Sequence, residues 1–310
     1  MSHKTTFDSS FLLESSTYAN VFTFMGRPLS RDITDSSVDA VVMGIPLDLT
    51  TTARSGTRYG PNGVRQASAQ LRWQKQRWPW RFELAEKLNV IDYGDVSFEE
   101  GRLENMIETV VEHASRIIAA GKMLLSIGGD HFVTLPLLRA HAKKHGKMAL
   151  LHFDAHPDTE ESELPHHHGT MFYHAPKEGL IDPAKSVQVG IRTEYDYDNH
   201  EFTVLDANWV NNHSTESVLE KIRETIGDTP VYLSFDIDCL DPAFAPGTGT
   251  PVPGGLTASR ALEIVHGLQG LNIVGMDLVE VSPPYDHADI TSLVGATLAL
   301  EMLYVIAAGR

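Results

Sequence analysis

The fold class can be inferred from one segment of the chain, Met148-Ala-Leu-Leu-His-Phe-Asp-Ala-His-Pro-Asp158. Its first half, Met148–Phe153, is a short run dominated by apolar residues, and its second half carries carboxylate and imidazole side chains. A run without polar alternation is typical of a strand that is buried on both faces, as in a parallel sheet. Open α/β sheets hold their ligands at the carboxyl ends of such strands. The stretch therefore predicts a parallel sheet with a polar site at one edge.

Apolar runs of this kind recur along the chain and alternate with longer amphipathic ones. The predicted strands are Ala40–Ile45, Asn89–Asp92, Met123–Ile127, Met148–Phe153, Val187–Ile191, Thr203–Leu205, Val231–Phe235 and Ile273–Val279. The predicted helices are Leu103–Ala120, Phe132–Lys144, Glu216–Ile226, Ala258–Leu268 and Ile290–Ala308. We expect Thr257 and Asp289 to be the N-caps of the last two helices.

Strand–helix alternation indicates a parallel sheet that is covered by helices on both faces. We therefore predict the α/β class, with a single three-layer α/β/α domain whose sheet has about eight strands. The first 35 residues are weakly patterned, and no repeat or Pro/Gly/Ser-rich linker divides the rest. We expect residues 36–310 to form the domain, and residues 1–35 to pack on it or on a neighbouring subunit.

The composition limits the partners and the compartment. The 310 residues carry a formal net charge of −16 and a single cysteine, Cys239. We expect neither nucleic acid nor an anionic membrane as partner, because both bind cationic surfaces. One cysteine excludes an internal disulfide framework and fits a reducing compartment. Met1–Thr6 opens no apolar signal region, and the most apolar run, Thr297–Ala308, contains Glu301, so we predict a cytoplasmic protein without a membrane span.

Aspartate and histidine residues, whose side chains commonly bind metal ions, follow three of the predicted strands. The candidate ligands are His131, Asp154, His156, Asp158, Asp236 and Asp238. Alternation along an extended segment places the ligands within each segment on one face. Clustered carboxylates repel one another unless cations neutralise them, and two divalent ions match the four aspartates in charge. Six donors suit two ions about 3.5–4 Å apart that share carboxylates, and an oxygen-rich set without thiolate favours manganese, with Mg, Co and Zn left open.

The sequence resembles the ureohydrolase family, the arginases, agmatinases and relatives that cleave guanidino groups to urea with two manganese ions. The motifs that carry the resemblance are Gly128–His131, Phe153–Asp158, Ser234–Pro242, Gly247–Gly255, Met276–Val281, Ser55–Pro61 and His168–Thr170. Within the family the chain is most similar to bacterial agmatinases, through Gly129–Pro136 and Gly169–Tyr173. The resemblance covers nearly the whole chain and implies an arginase-like fold that assembles as a homo-oligomer, a trimer or a hexamer.

The resemblance also implies a ligand set and a mechanism. Two Mn²⁺ ions per chain would be held by His131, Asp154, Asp158 and Asp236, and by Asp154, His156, Asp236 and Asp238. A metal-bridging hydroxide would attack the guanidinium carbon, with Glu280 pairing with the guanidinium. We expect Asp158 to accept a hydrogen bond from the nucleophile and His168 to deliver a proton to the leaving amine, because imidazole titrates near neutrality. A structural role of His168 in its loop is the alternative.

The segment around residues 160–168 bears on the choice of substrate. Glu160-Glu-Ser-Glu163 would attract an ammonium and repel a carboxylate, which favours agmatine over arginine; a solvated acidic turn is the alternative. Agmatinases often have an acidic residue where this chain has His167, so 4-guanidinobutyrate or another guanidino compound stays open. The predicted substrate-binding residues are Glu280, His168, Thr248, Glu163 and His167.

We predict manganese-dependent hydrolysis of agmatine to putrescine and urea, a step of putrescine and polyamine biosynthesis. Two other classes of protein remain as alternatives. The first is a zinc-dependent, deacetylase-like hydrolase, which would hold a single ion. The second is a metal-binding homologue without catalytic activity, which would normally lack a ligand or the partner of the guanidinium.

Overall fold

Strands and helices alternate along the chain in the computed structural model, which describes residues 22–162 and 166–310. Over these residues eight strands form one sheet, and every pairing in it is parallel. The strands are β1 Ala40–Ile45, β2 Val90–Asp95, β3 Met123–Gly128, β4 Ala149–Phe153, β5 Val187–Val189, β6 Thr203–Leu205, β7 Val231–Asp236 and β8 Ile273–Val279. Their order is β2-β1-β3-β8-β7-β4-β5-β6. The predicted parallel sheet of eight strands is confirmed.

Helices cover both faces of this sheet. They are α1 Gly60–Ser68, α2 Leu84–Lys87, α3 Leu103–Ala119, α4 Thr134–His145, α5 Met171–Lys177, α6 Ala207–Asn212, α7 Thr215–Ile226, α8 Ala258–His266 and α9 Ile290–Ala308. Helices α3, α4 and α5 bury their apolar residues in one hydrophobic cluster, and the other helices bury theirs in a second cluster. Successive residues of β1 alternate between the two clusters, with Ala40 and Val42 in one and Val41 and Met43 in the other. The three-layer arrangement is thus confirmed.

The short helices were not predicted from the sequence, and one of the two predicted caps lacks its side-chain hydrogen bond. Helix α1 begins Gly-Pro-Asn-Gly, which is typical of a turn, and α5 contains Pro176. Thr257 caps α8 as predicted, because its hydroxyl accepts a hydrogen bond from the Arg260 N–H. Asp289 occupies the N-cap position of α9 as predicted, but it adopts a left-handed conformation and its side chain makes no capping hydrogen bond. Asp286, one turn earlier, accepts from the N–H groups of Thr291 and Ser292 instead.

The described part of the N-terminal segment lies on the core. Phe24 is fully buried, and its N–H donates to Asp92 Oδ2 over 2.7 Å. Leu29 forms an isolated parallel bridge with Asp92, at the edge of the sheet. Residues 1–21 lie outside the described residues. The division of the chain at residues 35 and 36 stays a prediction.

By length and composition alone, helix α9 is long and apolar enough to cross a membrane. However, 78% of its most apolar 18-residue segment is buried inside the protein. Its carboxylate Glu301 lies among three donors. It accepts hydrogen bonds from Trp80 Nε1 over 2.5 Å, from His266 Nε2 over 3.0 Å and from Arg77 Nε. Burial opposes the ionised form, but these hydrogen bonds hold the pKa of Glu301 below its ordinary value. The helix is therefore fixed in the core by an ionised carboxylate.

We expect Glu301→Gln to lower the free energy of unfolding by about 3 kcal/mol, because the buried Arg77 guanidinium loses its charged partner. The stabilisation from Glu301 is present above the pKa of the unfolded carboxyl group and is lost as the pH falls through the lower folded pKa. Urea unfolding at pH 7 should separate the variant from the wild type, and the gap should close in acid. The matched control is Glu220→Gln on the surface of α7, and equal stability of Glu301→Gln and this control would contradict the expectation.

Candidate metal centre and active site

The predicted ligands lie at the carboxyl ends of strands that are neighbours in the centre of the sheet. Strand β3 leads to His131, β7 leads to Asp236 and Asp238, and β4 leads to Asp154 and the residues that follow it. Strand β8 lies between β3 and β7 and leads to Glu280. The four strands are consecutive in the sheet order β3-β8-β7-β4, so their ends deliver these side chains to one place.

Three carboxylates surround one nitrogen of His131. Nδ1 lies 3.0 Å from Asp154 Oδ2, 2.9 Å from Asp158 Oδ2 and 3.2 Å from Asp236 Oδ2. Burial and the charge of Asp154 raise the pKa of Asp158 to about 7, and burial raises that of Asp236 well above its usual range. Ionising all these carboxylates together is costly, and a bound cation would remove that cost.

The hydrogen bonds on the far side of the His131 ring show which nitrogen carries the proton. Nε2 lies 2.8 Å from Ser234 Oγ, and Ser234 donates its own proton to Asp277 Oδ1 over 2.7 Å. The serine oxygen therefore accepts from Nε2–H, which leaves Nδ1 of a neutral ring as a lone pair. Within the described residues Nδ1 is buried and makes no hydrogen bond. The lone pair of Nδ1 and the three carboxylates are metal-ligand donors that face one another, and this arrangement fits a metal ion.

A second cluster adjoins the first through Asp154. His156 Nδ1 lies 3.1 Å from Asp238 Oδ2 and 3.3 Å from Asp154 Oδ1. The two oxygens of Asp154 thus face different histidines, Oδ1 towards His156 and Oδ2 towards His131. The structure therefore brings all six predicted ligands together, and Asp154 has the geometry of a bridging carboxylate.

The ligands converge for a different reason than the one expected from an extended chain. Asp158 adopts a left-handed conformation with φ 53°, so strand alternation does not set its direction. Asp236 precedes a single turn of 3₁₀ helix, Ile237–Cys239, and its Oδ1 accepts from the N–H of Asp238 over 2.7 Å. Turns at the strand ends, and not a continued strand, direct these carboxylates into the site.

His152 is a site residue that the sequence analysis missed. It is fully buried in β4, and its Nε2 lies 2.8 Å from Asp154 Oδ2. Gln188 donates to its Nδ1 over 3.1 Å, so Nε2 carries the proton and donates to Asp154. Its position in the sequence offered a signal, because it is the one polar side chain in an apolar strand, two residues before Asp154.

Glu280 and His168 form a hydrogen-bonded pair beside the metal-ligand cluster. Glu280 is 1% exposed, and its Oε1 accepts from the His131 N–H over 2.9 Å. Thr52 donates its N–H to His168 Nε2 over 3.0 Å, so the proton lies on Nδ1, which donates to the same Glu280 oxygen over 2.9 Å. The second oxygen, Oε2, is buried and has no hydrogen-bond partner among the described residues. One carboxylate oxygen of Glu280 is thus held by the protein and the other is free for a ligand.

His168 and several of the metal-ligand side chains open onto a cavity of about 300 Å³. Its lining includes His156, Asp158, Asp236, His168, Thr52, His167, Glu160, Thr193, Glu194 and Thr250. His167 Nε2 lies 3.5 Å from Glu160 Oε2, and burial lowers the pKa of His167, so this ring is neutral at pH 7. The outer part of the cavity therefore presents the carboxylates Glu160 and Glu194 without a cationic histidine.

Among the predicted substrate contacts, His167 and His168 line the cavity, and Glu280 lies behind the lining. Thr248 is fully buried and is not a lining residue, whereas Thr250 lines the cavity and donates to Asp238 Oδ2 over 3.3 Å. A contact of Thr248 with the substrate stays a prediction. Glu163 lies outside the described residues. Glu194 was missed, although it follows β5 and the rule of polar residues at strand ends would have found it.

Comparison with known proteins places the chain in a family. The family model described as the arginase family matches residues 38–304. The chain is 58% identical to the agmatinase of Serratia proteamaculans (strain 568) over 297 aligned residues. The alignment covers 96% of this chain and 97% of that protein.

Solved structures agree with this match. A crystal structure described as a hypothetical agmatinase from Burkholderia thailandensis is 51% identical, with a TM-score of 0.91 over 94% of this chain and 93% of that one. The proclavaminate amidino hydrolase from Streptomyces clavuligerus is 38% identical, with a TM-score of 0.89 over 96% of this chain and 100% of that one. The sequence match and the shared fold together show that this chain belongs to the arginase family.

Proposed function

We propose that this chain hydrolyses agmatine to putrescine and urea with two manganese ions. Its family and its 58% identity to an agmatinase make it a hydrolase that acts on a guanidino C–N bond. The observation that carries the choice of reaction is the free, buried Oε2 of Glu280, which lies beside a cluster of six metal-ligand side chains. The trimeric or hexameric assembly and the cytoplasmic location stay predictions.

We assign one metal ion to His131, Asp154, Asp158 and Asp236, and the other to Asp154, His156, Asp236 and Asp238. The lone pair of His131 Nδ1 among three carboxylates supports this assignment. When bound there, two divalent ions would lower the pKa of a coordinated water molecule and so supply hydroxide at neutral pH. Imidazole and carboxylate donors without a thiolate favour manganese over structural zinc.

Glu280 is the residue that orients the substrate. Two N–H donors, from His131 and His168, fix Oε1 and with it the plane of the carboxylate. A guanidinium N–H can then donate to Oε2, and this charge-assisted bond holds the flat cation in one orientation. Orientation of this kind removes much of the entropic barrier to attack on the guanidinium carbon.

His168 supplies the proton that the leaving amine requires. Burial disfavours the charged ring, but the hydrogen bond and the charge of Glu280 raise the pKa of His168 to about 9. The ring can therefore carry an additional proton at neutral pH. Asp158 lies in the metal-ligand cluster and on the cavity lining, so its carboxylate is placed to accept a hydrogen bond from the nucleophile.

The outer part of the cavity favours a substrate with a cationic tail. Glu160 and Glu194 lie on the lining, and their charges attract the primary ammonium of agmatine. The same charges repel the carboxylate of arginine or of 4-guanidinobutyrate. His167 does not compensate, because burial lowers its pKa and keeps it neutral.

We expect Glu280→Gln to lower kcat/KM for agmatine by about 10²-fold or more, because the amide no longer pairs with a cation and the reacting carbon is misplaced. Steady-state urea release, measured with a saturating metal concentration, checks this. The control is the metal content, which should stay at the wild-type value. Unchanged kcat/KM would contradict the role of Glu280.

The wild type should release urea from agmatine with a higher kcat/KM than from arginine or 4-guanidinobutyrate. In the double variant Glu160→Gln/Glu194→Gln we expect KM for agmatine to rise roughly threefold to fivefold for each exposed carboxylate, since a surface charge contributes about 1 kcal/mol. The value of kcat should stay near that of the wild type. The matched control is Glu161→Gln, next to Glu160 but not on the cavity lining. A wild-type preference for either carboxylate-bearing compound would overturn the choice of agmatine.

Chelation of the bound metal should lower the thermal midpoint, and Mn²⁺ at a hundredfold excess over its Kd should stabilise the metal-free protein by about 2.7 kcal/mol. Asp236→Ala should lose most of this stabilisation together with urea release, whereas Asp228→Asn on the surface should keep both. Elemental analysis of the wild type should find two manganese ions per chain. A single zinc ion would favour the deacetylase-like alternative, and full metal binding without turnover would favour the catalytically silent one.

A further inference from the structure

We propose that the hydroxyl of Thr52 is the group that passes a proton between His168 and the cavity. Thr52 Oγ1 lies 2.7 Å from His168 Nε2, and both residues line the cavity. The proposal rests on the proposed function, because it concerns the proton that the leaving amine takes up. It adds to the active site a residue from the segment after β1, which carries none of the predicted ligands.

Both nitrogens of His168 are occupied by protein groups. Nδ1 contacts Glu280 Oε1 over 2.9 Å, and Nε2 contacts the N–H and the hydroxyl of Thr52. A proton that leaves the ring therefore passes to one of these two residues. Glu280 has to stay ionised to pair with the guanidinium of the substrate, whereas the hydroxyl of Thr52 can give up one proton and take another, and Thr52 is exposed on the lining of the cavity. The path from the imidazole to the cavity thus leads through Thr52.

A hydroxyl is suited to this role because it donates and accepts at the same time. With the ring protonated, Nε2–H donates to Thr52 Oγ1. As the C–N bond of the substrate breaks, its electron pair takes the hydroxyl proton of Thr52 and forms an N–H bond on the leaving amine. The Nε2–H bond breaks, and its proton restores the threonine hydroxyl. His168 is left as neutral imidazole and regains a proton from solvent after product release.

The backbone of Thr52 favours the end state of this transfer. Its N–H donates to Nε2 over 3.0 Å, and this hydrogen bond requires an unprotonated nitrogen. Glu280 acts in the opposite sense, because its carboxylate stabilises the protonated ring. His168 is thus held between one group that favours uptake of the proton and one that favours its release.

The segment that carries Thr52 is fixed by buried carboxylates. Asp130, which is fully buried, accepts from the Thr50 N–H over 3.0 Å and from the Thr50 hydroxyl over 2.7 Å. His168 donates its own N–H to the Thr50 carbonyl over 3.2 Å. Asp48 Oδ2 accepts a hydrogen bond from the Gly56 N–H over 2.8 Å, which links the two ends of the segment that carries Thr52. These bonds set the position of Thr52 relative to the imidazole.

The test compares Thr52→Val, which removes the hydroxyl but keeps the shape, with Thr52→Ser, which keeps the hydroxyl. We expect Thr52→Val to lower kcat about 10²-fold, the smaller end of the range for general acid catalysis, with KM nearly unchanged. Thr52→Ser should stay within about threefold of the wild type. The matched control is Thr51→Val, since Thr51 donates to the Asp48 carbonyl and does not line the cavity.

The pH profile separates proton transfer from a loss of structure. In the wild type, kcat should fall at alkaline pH as His168 loses its proton, and Thr52→Val should lose this dependence. Two results would overturn the proposal. One is a kcat of Thr52→Val within threefold of that of Thr51→Val. The other is a serine variant as slow as the valine variant.

A second measurement does not depend on turnover. Diethyl pyrocarbonate acylates unprotonated imidazole nitrogens, and peptide mass mapping follows the modification at His168 in the metal-loaded protein. Thr52→Val should speed this modification relative to the wild type and Thr51→Val, because Nε2 loses its hydroxyl partner. Equal rates would overturn the proposal even if another guanidino compound proves to be the substrate. Failure of agmatine turnover alone would count against the proposed function and not against Thr52.

Discussion

The site depends on one electrostatic constraint, which is that several buried carboxylates occupy the carboxyl ends of adjacent strands. Asp154, Asp158 and Asp236 all approach a single nitrogen of His131 that carries a lone pair. Negative charge and a lone pair cannot share a buried space without protonation or a cation. The surrounding hydrogen bonds are arranged accordingly: Ser234 sets the tautomer of His131, and His152 orients Asp154. The sheet supplies positions for these groups, and a bound cation would make their proximity favourable.

Sequence patterns predicted most of the fold, because most of the strands are buried on both faces and consist mainly of apolar residues. The segment Ala40–Ile45 was predicted with its observed ends for this reason. Elements whose formation depends on their surroundings were missed. Helix α1 has a turn-like start and gains stability by packing against α9, and Asp286 caps α9 across a turn that local pattern does not reveal. Tertiary contacts decide such elements more than propensity does.

The side chains predicted as ligands lie together in the structure because strand ends meet in a parallel sheet whatever the details of each turn. The direction of each side chain was not predictable in the same way, since Asp158 reaches the cluster through a left-handed residue. Residues that touch the site from other segments were harder to find. Thr52 has no pattern of its own, and only the fold brings it to His168, which is 116 positions later in the chain. Local sequence patterns do not predict long-range hydrogen bonds of this kind.

Glu301 has a consequence for the chain before it is folded. Helix α9 has the length and composition of a bilayer-crossing segment, and this carboxylate lies near its middle. On scales derived from translocon insertion, an aspartate at the centre of a helix costs about 2.5–3.5 kcal/mol, and we expect a similar penalty for glutamate. During synthesis the exposed segment thus carries a built-in barrier against misinsertion into lipid. The carboxylate that fixes the folded helix in the core therefore also disfavours insertion of the same segment into lipid during synthesis.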